Sequence, residues 1–202
     1  MKSDQELIED AKKGKRDPGL KNLKVDSDIL DEKGNRKDVK LEKHYTVQKL
    51  QSVQKGEAVE TDYIVVALAT PVKEESGSNP AVNFTHTIKG WFTTKEIGAD
   101  TYGKATRYEA IWKLNDGRQF SVQEGLFEAS TDGKTPSGGS LTNKRDATSY
   151  YPPSWGQTYV KLPSWDFVNL TGHGYAGGKV DTKFTAHGTS GRVITNVRVG
   201  MD

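Results

Sequence analysis

From His44 onward, polar and apolar positions alternate with a period of two, the rhythm of strands with one buried face. Tyr45, Val47 and Lys49 alternate with Thr46, Gln48 and Leu50. After a loop at 55–60, Tyr63-Ile64-Val65-Val66-Ala67-Leu68-Ala69-Thr70 breaks the rhythm, being apolar almost throughout and ending at Pro71. A short β-branched run of this kind predicts a central strand covered on both faces. A longer strand is expected from Val82 to Thr94, with Phe84, His86, Ile88, Gly90 and Phe92 sharing one face.

Residues 105–114 and 118–127 alternate on either side of Asp116-Gly117, which predicts a hairpin with a tight primed turn. Tyr108, Ala110, Trp112 and Leu114 share one face, and Phe120, Val122 and Glu124 share another. Regular pairing across two residues would send those sets to opposite sides, so a common core demands a bulge. Residues 130–149 are mostly Ser, Thr, Gly, Asp and Lys and read as a long loop. Strands return at 158–162, 166–171, 179–186 and 192–199, the last with Val193, Thr195, Val197 and Val199 on one side.

Residues 1–43 have a different texture. Leu7, Ile8 and Ala11, with Ser3 or Asp4 as a cap and Gly14 as a stop, predict a helix of about two turns. Lys24–Ile29 predicts an edge strand, and the remainder is sparse in apolar residues. The expected organisation is a polar, partly helical or disordered N-terminal arm over 1–43 and an all-β domain over 44–202. Many short alternating strands, with no 10–15-residue helical pattern between them, predict an antiparallel β-sandwich, with a closed barrel as the alternative.

The polar leader, the strand pair His44–Gln54 and Asp62–Thr70, and the closing Lys179–Val199 strands resemble the small β-sandwich proteins of unknown function that Gram-positive bacteria secrete. The resemblance spans roughly residues 44–199. It implies secretion and no active site.

Composition narrows the chemistry. The 202 residues include no Cys, which removes disulfides, thiolate catalysis and Cys-ligated metals. No apolar run approaches the roughly 20 residues that span a bilayer. No signal peptide is visible, so the expected secreted or envelope location presumes a removed one. Net charge is only +2, and the cluster Lys12-Lys13-Gly14-Lys15-Arg16 reads as a solvated tail rather than a phosphate-binding arm, so nucleic acid is not an expected partner.

The four histidines, His44, His86, His173 and His187, form no close metal-ligand pair; His173 and His187 would need Asp166 or Asp181 nearby, and no metal or other cofactor is expected. Asp26-Ser27-Asp28 lacks the Gly and Glu of a calcium loop. No Ser sits in a nucleophile elbow, and Ser190 reads as a turn. Glu109 and Glu124 could oppose each other across the predicted hairpin, but as solvent-facing groups rather than a catalytic pair. Ser137-Gly138-Gly139-Ser140 lacks a phosphate-loop lysine. No catalytic residue is named.

The densest aromatic stretch is the remaining candidate. Pro153-Ser154-Trp155 recurs as Pro163-Ser164-Trp165, with Tyr150 and Tyr151 upstream and Tyr159 between. Proline marks strand entries and edges, and aromatic faces stack on sugars or peptide prolines while their polar tips stay wet. Tyr151, Trp155 and Tyr159 are therefore the candidate ligand-binding residues, with Trp165 and Phe167 assigned to the core. The expected function is a non-enzymatic binding protein for a glycan or protein surface. A cell-wall-polymer hydrolase and a structural subunit that self-associates through its N-terminal arm are the alternatives.

Overall fold

In the computed structural model, residues 1–36, 40–72, 84–115, 120–186 and 189–200 are described. One helix, α1 (Asp4–Lys12), precedes eleven strands. Six form one sheet, sheet A: β2 (Lys40–Lys55), β3 (Ala58–Val72), β4 (Phe84–Ile97) and β5 (Asp100–Leu114) pair in sequence order, and the short β8 (Thr158–Lys161) and β9 (Val168–Asn169) both pair with β5. The other, sheet B, has the order β1 (Leu23–Leu30), β11 (Thr189–Gly200), β10 (Tyr175–Ala186), β6 (Phe120–Lys134) and β7 (Ser140–Tyr150). Every pairing in both sheets is antiparallel, as expected for a β-sandwich.

The core lies between the sheets and follows the two-residue rhythm. Val65, Ala67, Ile88, Phe92, Tyr108 and Trp112 of sheet A meet Phe127, Ala129, Val180 and Val197 of sheet B. Tyr63 to Ala69 are buried at every position, as the unbroken apolar run requires. Their alternate members Ile64 and Val66 face outward, where Leu7 of α1 covers them. The helix starts with a capping box between Ser3 and Glu6, so the orphan N–H groups at its start are satisfied locally. Its buried Asp10 is held by Lys2, Lys15 (2.9 Å) and Gln48 (2.8 Å); hydrogen bonds from Lys2 and Lys15 lower its pKa to about 2.

Three expectations are revised. The N-terminal segment does not stand off as an arm over its described part. β1 adds to sheet B, with Leu23 opposite Val199 and Leu30 opposite Arg192, and Val25 and Ile29 pack against the core. The stretch 130–149 is not a loop: β6 runs on to Lys134, and β7 starts at Ser140. An outermost strand exposed on most of its length carries no apolar alternation to read.

The third concerns the predicted hairpin. Its Asp116-Gly117 turn lies outside the described residues. The flanking strands β5 and β6 belong to different sheets, so Trp112 and Val122 are both buried without pairing with each other. Glu109 lies on the outside of one sheet, 3.1 Å from Lys89, which also meets Asp4 of α1 at 2.7 Å. Glu124 accepts from Ser149 on the other sheet (2.7 Å). The two carboxylates do not oppose each other.

Candidate functional site

The first Pro-Ser-Trp lies on the crossover from β7 in sheet B to β8 in sheet A, across one open side of the sandwich, and the second follows β8 toward β9. Pro153 is buried there. A Cβ on Gly125 would lie 2.6 Å from Trp112 Cζ2 and 2.9 Å from Pro153 Cγ, so only a glycine lets the indole and the proline close over this strand. Gly156 turns the chain at φ +74, and its N–H donates to the Trp112 carbonyl (2.8 Å).

Tyr159 points back into this closure. Its ring is 4.0 Å from that of Tyr150 and meets Trp112 edge-on at 5.4 Å. Its phenolic oxygen accepts from the Ser154 N–H (2.8 Å). Two residues on, the ammonium of Lys161 is buried and donates to Asp146 (2.6 Å) and Thr148 (3.0 Å) of β7. Tyr159 and Lys161 therefore tie the last strand of one sheet to the last strand of the other.

The structure divides the three candidate ligand residues. Tyr151 is 72% exposed and Trp155 40% exposed, whereas Tyr159 is half-buried against the core. The Tyr151 hydroxyl donates to Glu124 (3.1 Å). Val160 of β8 and Leu162 just after it are also exposed. In the second repeat, Trp165 packs against the core and Phe167 is buried, with the ammonium groups of Lys95 and Lys104 4.0 and 4.5 Å from the Phe167 ring centre. The same tripeptide serves two ends: one tryptophan at the surface, one packed against the core.

A buried polar relay crosses the core. Trp112 Nε1–H donates to Thr182 Oγ1 (2.8 Å). Thr182 Oγ1 lies 2.8 Å from His86 Nδ1, His86 Nε2 2.7 Å from Thr195 Oγ1, and Thr195 Oγ1 2.8 Å from Ser27 Oγ. An indole can only donate. A chain polarised from it runs through the Thr182 hydroxyl to Nδ1, and from Nε2–H through Thr195 to Ser27. Burial drives the His86 pKa down to about 3, so the imidazole is neutral at neutral pH and takes part as one donor and one acceptor.

Among the described residues His44, His86 and His173 form no hydrogen bond or ion pair with Asp or Glu. His173 is exposed in the loop after β9, and His187 lies outside the described residues. Asp181 is engaged by Arg192 (Nε to Oδ1 3.1 Å). Among the described residues no three His, Asp or Glu side chains gather as metal ligands. Ser190 stands opposite Thr185 in the β10–β11 ladder.

Two cavities had no counterpart in the strand pattern. One, of about 370 Å³, opens on the outer face of sheet B between Lys24, Glu128, Tyr175, Lys179 and Arg198, beside the side-chain gap at Gly177. The guanidinium of Arg198 lies over Tyr175 at 3.6 Å. The other lies where the sheet edges β1 and β2 part, and is lined by basic groups. Neither could be found from alternation alone, because each joins residues far apart in sequence. Comparison with known proteins does not add to this geometry: no family model, no curated protein and no solved structure matches the chain.

Proposed function

We propose that the protein is a secreted or cell-envelope binding module without catalytic activity, and that it recognises a glycan through Tyr151 and Trp155. One observation carries this reading. Of the nine large apolar side chains exposed among the described residues, four (Tyr151, Trp155, Val160 and Leu162) fall within the twelve residues 151–162. Two of them, Tyr151 and Trp155, are aromatic rings left exposed on the one crossover between β7 and β8, the kind of ring that stacks on a sugar.

The chemistry around these rings is that of sugar recognition. Aromatic faces cover the apolar face of a pyranose, while neighbouring carboxylate and hydroxyl groups bind its hydroxyls. Glu124 and Ser149 stand beside Tyr151 for that purpose. Tyr159 contributes from beneath, holding the Ser154 backbone that leads into Trp155. The resemblance to secreted β-sandwich proteins supports the location.

A glycan and peptide array probed with wild type, Tyr151→Ala and Trp155→Ala tests the reading. Wild type is expected to retain a glycan, and each variant to lose about tenfold or more in affinity. Retention of a peptide instead would move the reading to a protein partner. No retained ligand, or equal binding by Trp155→Ala, would discard it.

A further inference from the structure

The fold pulls apart the basic run Lys12-Lys13-Gly14-Lys15-Arg16. Lys15 turns to Asp10 at 2.9 Å. Arg16 turns the other way and lies across Tyr45, its guanidinium carbon 3.7 Å from the ring centre. Lys12 reaches the same place from the last turn of α1, and Lys43 and His44 reach it from β2. With Ser27 of β1 these groups line a cavity of about 240 Å³.

No carboxylate lines the cavity. Among the described residues Lys12, Arg16 and Lys43 have no ion-pair partner. Their three positive charges exceed the net charge of the whole chain, +2. The C-terminus of α1 opposes this with only about half a negative charge, which leaves the cavity clearly positive.

Arg16 is also held in place. Arg16 forms a parallel bridge with Val47. Beside it, Asp17 N–H donates to the Val47 carbonyl (2.8 Å), and the Thr46 hydroxyl donates to the Lys15 carbonyl (2.6 Å). A guanidinium stacked on a ring and not spent on a carboxylate keeps its N–H edge for a planar oxyanion, with less side-chain entropy left to lose. Ser27 is 5% exposed and takes the last position of the relay from His86. When the relay donates toward Ser27, the Ser27 hydroxyl keeps a proton to donate.

We infer that this cleft binds a phosphate group, carried on a small monoester, through Arg16, Lys12 and Lys43 with Ser27 as a neutral donor. The volume decides the size of the ligand. It falls below the roughly 300–1,000 Å³ of pockets for drug-sized molecules, so it suits a phosphate with a short ester and excludes an enclosed nucleotide. Arginine supplies the paired donors that phosphate geometry favours, and the lysines act as point charges.

Calorimetric titration of the full chain at low ionic strength, with inorganic phosphate and with glycerol 3-phosphate, tests the site. Saturable binding of the ester is expected, weakened about tenfold or more in Arg16→Gln and in Lys43→Gln. Lys33→Gln removes the same charge at an exposed turn away from the cleft and is expected to bind as wild type does. Vesicles of phosphatidic acid in phosphatidylcholine separate a lipid headgroup from a free ester: binding to either, lost in Arg16→Gln, supports the site and names its source. Lys43 is exposed on β2, so Lys43→Gln remains informative if Arg16→Gln folds poorly. Absence of saturable binding by wild type, or equal weakening in Lys33→Gln, would overturn the inference. Trp155→Ala is expected to leave this titration unchanged, which keeps it separate from glycan recognition.

Discussion

His86 of sheet A and Thr182 of sheet B are joined across the core by a 2.8 Å hydrogen bond between ring Nδ1 and hydroxyl. Both are fully buried. The pair belongs to a relay that links β5, β10, β4, β11 and β1 in turn, and it holds the sheets in one register where apolar contact alone would let them slide.

Acid should act on this pair first. The unfolded His86 takes up a proton near its ordinary pKa of 6.5, whereas the folded one resists until about 3. Between those values only the unfolded state gains the proton, so stability falls as pH falls through that window. At pH 4.5 the linkage amounts to about 3 kcal/mol. Urea unfolding at pH 7 and pH 4.5 should show wild type losing about that much more than His86→Gln; equal losses would remove His86 as the cause.

Thr182→Val keeps the shape of the side chain and removes its hydroxyl. Trp112 Nε1 and His86 Nδ1 then both lose their partner, and each buried unpaired group costs about 1–3 kcal/mol. A loss of about 2–5 kcal/mol is expected by chemical denaturation. Thr182→Ser, which keeps the hydroxyl, should cost less than half of that.

Lys161 and Asp146 make an asymmetric pair. The Lys161 side chain is 6% exposed and that of Asp146 53%. Removing the acid strands a buried cation, while removing the lysine leaves an acid that water can reach. Asp146→Ala should therefore cost about 2 kcal/mol, and Lys161→Met less than about 1 kcal/mol. Thermal melts of the two variants side by side would show the order.

Leu7 is 2% exposed and sits on Ile64 and Val66. Leu7→Ala should lower stability by about 2–4 kcal/mol, with the strand signal in circular dichroism retained. A loss near zero would mean that α1 is not docked in solution.

Much of the fold was legible because parity is a local property. The alternation of β4 and β11 grouped His86 with Phe84, Ile88 and Phe92, and Thr195 with Val193, Val197 and Val199, each on one face of its strand, before any pairing was known. Their meeting was not legible, since it depends on which strands lie across the sandwich. The same limit produced the false hairpin: Asp116-Gly117 looks like a tight turn in isolation, and nothing local says that β5 and β6 enter different sheets. Tyr159 shows the limit within the candidate site. Its spacing from Tyr151 and Trp155 suggested one surface, but the path over Pro153 and Gly156 turns it inward onto Trp112. The basic cleft escaped notice because Arg16 and Lys43 belong to segments that alternation treats separately.

The pairing of Leu23 with Val199 joins positions 176 residues apart (199 − 23). During synthesis on the ribosome β1 has no ladder partner until β11 has been made. Its outward-facing Lys24, Asp26 and Asp28 keep it hydrated through that delay. Closure of this kind is paid in loop entropy before any contact rewards it, and belongs with slow folders, on the order of milliseconds to seconds. β2 to β5 can pair in sequence as they are made, whereas the edge of sheet B formed by β1 is completed only once β11 is present, so closure of that edge is the late step of assembly.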